Sequence, residues 1–150
     1  MYSIKTANHE IELKAKSRFY LEFKLALGCP NLKQAFFVAF ENVDVEFLAK
    51  WIKAFATDRK LTLDDAYDII DEYIEDGEHT LYGLFSDCAD FINGMGFFGK
   101  LELSDGESVI AFFENRANMI DMNGKISSAI DSGVEEMVRQ ELLSRMGKQD

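Results

Sequence analysis

Proline is almost absent from this sequence, which contains one in 150 residues. A loop-rich or disordered chain is therefore disfavoured, and the strong helical patterning points the same way. Cysteine is also scarce, because only Cys29 and Cys88 occur and neither belongs to a CxxC pair or a larger cluster. Both are expected to be small buried side chains of a protein that folds in a reducing compartment.

Long apolar runs are missing too. No stretch of about eighteen apolar residues is present, so no transmembrane helix is expected. The polar, alternating N-terminus MYSIKTANHE does not resemble a signal peptide.

Motifs of catalysis and metal binding are likewise lacking. His9 and His79 have no second His or Cys at metal-ligand spacing, and no G-x-S-x-G, H-E-x-x-H or Walker-type run occurs. Residues 94–99 match the letters G-x-G-x-x-G, but they follow a helical stripe where a dinucleotide site needs a strand. We therefore expect no enzyme, no metal and no cofactor.

Lys and Arg do not occur between residues 61 and 99, whereas residues 61–78 contain eight Asp or Glu side chains. The whole chain has a net charge of −11. A field of this sign repels phosphates, so direct binding to nucleic acid is disfavoured. The acidic run either attracts a basic protein partner or only keeps an aromatic-rich chain in solution.

The clearest pattern that is present predicts two helices within residues 61–98, joined at Gly77. Thr62 and Asp65 have the spacing of a capping box, and Thr80 is placed to cap the second helix. Apolar residues recur at helical spacing on one face of the first helix. Its opposite face is acidic and includes Asp64, Asp68, Asp71 and Glu75.

The remaining chain predicts a hairpin followed by further helices. Residues 1–14 alternate apolar and polar side chains around a turn at residues 7–9, which is typical of a β-hairpin. An isolated hairpin is only marginally stable in water, so we expect this one to pack against a helix. Ser17 and Asn31 are expected to cap the helices that follow them, and a further helix is expected to begin at Asp44.

The predicted fold class is α+β, mainly α, with an N-terminal β-hairpin packed on a bundle of about five to seven helices. A chain of 150 residues suits one domain with a real core. We expect that domain to comprise the hairpin over 1–14, a helical core over 17–98 and a more weakly patterned helical region over 99–150. In the last region we expect a helix from Val109 and an amphipathic helix over 134–146.

Thirteen phenylalanines are many for a chain of this size. Five of them are candidates for a partner-binding surface, namely Phe36, Phe37, Phe40, Phe97 and Phe98. If some of these rings are exposed, they would form a groove for an amphipathic helix, beside the acidic residues Asp64, Asp68, Asp71 and Glu75. The alternative is that all five rings lie in the core and the acidic residues only increase solubility.

The order of these pieces resembles the tail assembly chaperones of long-tailed bacteriophages that infect Gram-positive bacteria. The matching pieces are Ile11-Glu12-Leu13, Leu27-Gly28, Leu61-Thr62-Leu63-Asp64, residues 69–74, Gly77 and Gly96-Phe97-Phe98. The resemblance covers residues 1–98 and fades through the C-terminal third.

The resemblance implies a non-enzymatic assembly factor that binds the tape measure protein and helps recruit tail tube subunits. Such a factor acts in the cytoplasm of the bacterial host and is not retained in the mature virion. The tape measure protein and the tail tube protein are the implied partners, self-association is compatible with this role, and neither nucleic acid nor membrane is expected to bind.

A second hypothesis comes from the acidic run alone. It is an acidic phage or prophage protein that inhibits a host nucleic-acid-binding protein by charge mimicry.

Overall fold

The computed structural model describes the backbone of residues 1–123 and the side chains through Arg116. Within the described residues the chain is mainly helical and begins with a two-stranded antiparallel hairpin, which confirms the predicted fold class. The chain forms two compact units, of which the first spans Met1–Glu102 and the second begins at Leu103. This boundary lies close to residue 99, beyond which the helical pattern of apolar residues weakens. The interpretation of residues 1–150 as a single domain stays a prediction. The helix expected over 134–146 lies outside the described residues.

The first unit contains two strands, β1 (Tyr2–Lys5) and β2 (Glu10–Leu13), and five helices, α1 (Ser17–Leu27), α2 (Leu32–Asn42), α3 (Val45–Phe55), α4 (Leu63–Glu75) and α5 (Leu81–Gly94). The second unit contributes α6 (Val109–Asn123), which begins after Ser108. No helix in residues 1–123 is long and apolar enough to cross a membrane.

Short polar side chains begin four of the helices, as the sequence predicts. Asn31, Asp44 and Thr80 each accept a hydrogen bond from a backbone N–H in the first turn of the helix that follows. At α4 the capping box is complete, because the Thr62 N–H donates to Asp65 (2.9 Å) and the Asp65 N–H donates to the Thr62 hydroxyl (3.0 Å). Each such cap satisfies a donor that the helix itself leaves unpaired.

The start of α1 differs from the expectation. Ser17 is not its cap but its first helical residue, and Lys16 occupies the cap position without a capping hydrogen bond. A hydroxyl inside the first turn cannot reach forward to the donors that a true cap satisfies. At the other end, α1 stops at Gly28, whose φ of 64° is the left-handed conformation that glycine adopts readily.

The helix α3 is the centre of the first unit and packs against α1, α2, α4 and α5. Seven of its eleven residues are buried, namely Phe47, Leu48, Ala49, Trp51, Ile52, Ala54 and Phe55. Phe23 of α1 meets Phe47 and Phe55 edge-on, with ring centroids 5.4 and 5.6 Å apart. Burial of each large apolar side chain contributes about 1.5–3 kcal/mol, so this helix supplies much of the driving force for folding.

The hairpin is attached to the end of α3 through the backbone. Its register pairs Ile4 with Ile11, and both side chains are buried. The chain leaving α3 then extends the ribbon, because the Lys14 N–H donates to the Phe55 carbonyl (2.9 Å) and the Thr57 N–H donates to the Glu12 carbonyl (2.9 Å). A two-stranded hairpin is only marginally stable by itself, and these hydrogen bonds add a third, short segment of backbone to it.

Glu72 of α4 holds the turn of the hairpin. Its carboxylate accepts hydrogen bonds from the Thr6 hydroxyl and from the backbone N–H (3.3 Å) and side-chain amide (3.2 Å) of Asn8, and it lies 3.0 Å from Nδ1 of His9. The contacts with His9 and then Thr6 are the main causes that lower the pKa of Glu72 to about 2. One member of the acidic run therefore joins two parts of the fold.

We expect the stability that Glu72 contributes to depend on pH. A carboxylate whose pKa is lowered by folding stabilises the folded state while it is ionised, and this stabilisation is lost as the pH falls from the ordinary pKa of 4.5 towards 2. The difference in free energy of unfolding between the wild type and Glu72→Gln should be large above about pH 5 and should shrink below that pH. Urea unfolding at a series of pH values measures it.

Glu75→Gln is the matched control, because Glu75 is an exposed carboxylate on the same helix. Its free energy of unfolding should differ from that of the wild type by no more than the few tenths of a kcal/mol expected for one exposed like-charge pair on a helix. A Glu72→Gln difference that does not change between pH 4.5 and 2 would contradict the assignment.

Candidate functional site

Seven of the eight acidic residues over 61–78 fall into two sets. Three of them have structural partners, because Asp65 completes the capping box, Glu72 holds the hairpin, and Asp76 accepts hydrogen bonds from the two backbone N–H groups that follow Gly77. The four candidate residues Asp64, Asp68, Asp71 and Glu75 are all exposed and form no hydrogen bond or ion pair with the described part of the chain. We call these four residues the acidic stripe.

The acidic stripe runs along one face of α4. Its members are spaced by four, three and four residues, so they cover about 16 Å along the helix axis. Like charges at such spacings destabilise a helix by about 0.2–0.5 kcal/mol per pair, and α4 contains no Lys or Arg to offset them. The arrangement therefore concentrates negative charge on one exposed face of the helix.

Three of the five candidate phenylalanines lie in the core. Phe36, Phe37 and Phe98 are each at most 3% exposed. The Phe36 ring meets Phe47 of α3 and Phe85 of α5, with centroids 5.7 and 6.1 Å away, because this face of α2 turns towards those helices. The expected partner surface is therefore not formed by these three rings.

The other two phenylalanines are half-buried. Phe97 stacks on Tyr20 with ring centroids 3.6 Å apart, and Phe40 lies against Tyr82 with centroids 6.0 Å apart. Each therefore keeps some accessible surface, although a neighbouring ring covers one side.

A groove that the sequence reasoning missed lies among the end of α1, α2 and the first half of α3. We call it the α2–α3 groove, and its volume is about 370 Å³. Its apolar lining includes Leu27, Ala35, Val38, Ala39 and Phe47, and its polar rim includes Asp44, Glu46 and Lys50. The available signal was the run of six apolar residues over 35–40, which occupies every side of a helix and so exceeds what one buried face needs.

Charges from the rim of the groove and from the acidic stripe both act on the phenol of Tyr67. Burial raises the pKa of Tyr67, and the negative charges of Glu46, Asp44 and Asp64 raise it further, while Lys50 acts in the opposite sense. Within the rim, Glu46 and Lys50 form an ion pair of 2.6 Å, whereas Asp44 is exposed and caps α3.

The corner between α2 and α3 is strained at Val43. Its φ of 53° places it in the left-handed region, and the Asp44 N–H donates to the Ala39 carbonyl (2.8 Å) across the corner. A residue other than glycine loses about 1–2 kcal/mol in this conformation. The corner sets the angle between two walls of the α2–α3 groove.

Replacement of Val43 by asparagine should stabilise the protein. Asparagine tolerates the left-handed region through local hydrogen bonds, so we expect Val43→Asn to raise the free energy of unfolding by about 1 kcal/mol in urea. Val38→Asn is the matched control, because Val38 is similarly exposed but helical, and its variant should be neutral or less stable. Equal effects of the two substitutions would contradict the assignment of strain.

No family model, no curated protein and no solved structure matches this chain. The likeness to tail assembly chaperones therefore depends on the order and spacing of the residues quoted from the sequence. The candidate surface, which comprises the α2–α3 groove and the acidic stripe, depends on the geometry of the chain itself.

Proposed function

We propose that this chain is a non-catalytic phage tail assembly chaperone, which binds the tape measure protein and helps recruit tail tube subunits. It acts in the cytoplasm of the bacterial host and leaves before the virion is complete. The observations that carry the proposal are the apolar α2–α3 groove and the exposed acidic stripe of α4, the helix that packs against α3.

The groove suits the apolar face of a helix. Amphipathic helices dock by inserting side chains at positions i, i+3 or i+4 into an apolar groove. A volume of about 370 Å³ accommodates a few such side chains and leaves the rest of the helix outside. A tape measure protein, with long helical and partly apolar stretches, presents this chemistry repeatedly.

The acidic stripe selects the charge of the client. Exposed carboxylates attract Lys- and Arg-bearing segments and raise the association rate more than the affinity. A client helix with an apolar face and basic flanks therefore fits both parts of the surface. The charge-mimic alternative is supported by the stripe alone, since mimicry of nucleic acid makes no use of an apolar groove.

Co-expression with the tape measure protein from the same phage or prophage tests the proposal, and the wild type should keep that client soluble. In Val38→Glu a carboxylate enters the α2–α3 groove, and we expect client affinity to fall about tenfold or more. Leu21→Glu is the matched control, because Leu21 is an exposed apolar residue that does not line the groove. Equal loss in both variants, or a client that stays soluble without this chain, would overturn the proposal.

Neutralisation of the acidic stripe separates the two candidate functions. For a chaperone, the triple variant Asp64→Asn, Asp68→Asn, Asp71→Asn should bind the client with a slower association rate and a weaker salt dependence, and with a nearly unchanged dissociation rate. For a charge mimic, the same variant should abolish binding to a basic host protein, and Val38→Glu should leave that binding intact. Surface plasmon resonance at low and high salt measures both rates.

A further inference from the structure

The outer face of α1 is both apolar and basic. Leu21 and Leu25 are 57% and 74% exposed, which makes them the two most exposed large apolar side chains in the described helices. Arg18 and Lys24 each lie three residues from Leu21, on the same side of the helix. We call these four residues the α1 face. None of them lines the α2–α3 groove, so the proposed client surface leaves this face uncovered.

The positive charge of the α1 face is not neutralised by its neighbours. Glu22 is the one acidic residue of α1, and it is paired with Lys53 (3.5 Å) and with Arg59. Arg18 and Lys24 are exposed, and their side chains form no hydrogen bond or ion pair with the described part of the chain. Both bases are therefore available to acidic groups from outside.

A concavity of about 240 Å³ continues the positive surface at the start of α1. Its lining comprises Lys16, Arg18, Phe19, Thr57 and Arg59. The guanidinium of Arg59 is held in place by contacts within the chain. It lies 4.0 Å from the centroid of the Phe19 ring and donates to the carbonyls of Ala54 (3.0 Å) and Ala56 (2.8 Å). Three bases therefore surround a space that suits a carboxylate.

The acidic stripe has the complementary chemistry. Its four carboxylates are exposed, and Tyr67 and Ile74 lie half-buried along its edge, each three residues after a member of the stripe. The stripe covers about 16 Å of helix, whereas the α1 face covers about 10 Å, so the shorter face fits within the longer one. No ion pair joins these two surfaces within the described part of the chain.

We propose that the α1 face of one copy docks on the acidic stripe of a second copy of this chain. Arg18 and Lys24 pair with carboxylates of the stripe. The two leucines cover the half-buried side chains of Tyr67 and Ile74. A second copy is the favoured occupant, because this chain carries both of the complementary surfaces. The inference goes beyond the proposed function, since this contact forms without a client.

The contact joins two different surfaces and is therefore heterologous. Each copy in a pair keeps one surface of either kind free, so further copies can add until the assembly closes into a ring or continues as a filament. Because the acidic stripe is also part of the client surface, a client bound there displaces the neighbouring copy.

Sedimentation equilibrium of the full chain over a range of concentrations measures the association. The average mass should rise above the 17.1 kDa of one chain, with a dissociation constant of roughly micromolar order. The double variant Arg18→Glu, Lys24→Glu places acids against acids and should weaken association at least about tenfold. Leu25→Gln should weaken it without a change of charge, through loss of apolar contact.

The matched control is the double variant Lys5→Glu, Lys100→Glu. It changes the net charge by the same amount at exposed residues outside α1 and α4, and it should associate nearly as well as the wild type. Equal weakening by the two double variants would overturn the inference. A wild-type chain that stays monomeric up to about 1 mM would overturn it as well.

Charge reversal on the other surface separates docking from misfolding. The double variant Asp68→Lys, Asp71→Lys should fail to associate by itself, because bases then face bases. Mixed with Arg18→Glu, Lys24→Glu, it should associate again, since opposite charges then meet in both kinds of contact. Both variants keep a negative net charge, so unspecific attraction does not account for such a rescue. A mixture that stays monomeric would overturn the inference.

Other occupants of the α1 face give different results. Binding of a monomeric wild type to vesicles of phosphatidylserine and phosphatidylcholine, lost in Arg18→Glu, Lys24→Glu, would overturn the inference and assign the face to a membrane. Self-association without any client binding would support the inference and contradict the proposed function. A chain that binds the client but never associates with itself would do the reverse.

Discussion

The rest of the structure depends on the burial of α3. Four helices pack around this one, and the chain that leaves it at Ala56 bridges to Leu13 of the hairpin. Seven of the eleven residues of α3 are buried, so the neighbouring helices pack on it with their apolar faces. Their opposite faces are therefore exposed to solvent. The wall of the α2–α3 groove and the exposure of α4 on its acidic side are consequences of that packing.

Local features of the fold could be predicted from the sequence, because they depend on residues close together in the chain. The caps at Asn31, Asp44 and Thr62 and the helix end at Gly28 each need only a few neighbouring residues. The hairpin was visible for the same reason, since its alternation and its turn lie within fourteen residues. The start of α1 was misplaced by one residue, which is the usual uncertainty of a helix boundary.

The candidate site could be predicted only in part. Helical periodicity predicts which face of α4 is exposed. The four residues of the acidic stripe were therefore placed correctly on the surface. Which phenylalanines remain accessible depends on contacts between distant helices, and the pairing of Phe36 with Phe85 could not be read from either segment. The role of Glu72 was hidden for the same reason, because its partners lie more than sixty residues away in the hairpin turn.

Charge is segregated along the chain in a way that fits a protein-binding role. Residues 1–60 contain ten Lys or Arg and seven Asp or Glu, whereas residues 61–99 contain ten Asp or Glu and no Lys or Arg. Hydrogen exchange of this chain with and without the tape measure protein tests whether the α2–α3 groove and the acidic stripe bind that client. We expect the client to slow exchange in α2, the first half of α3 and α4, which carry the groove and the acidic stripe. Slowing that is confined to other helices, or no slowing at all, would contradict it.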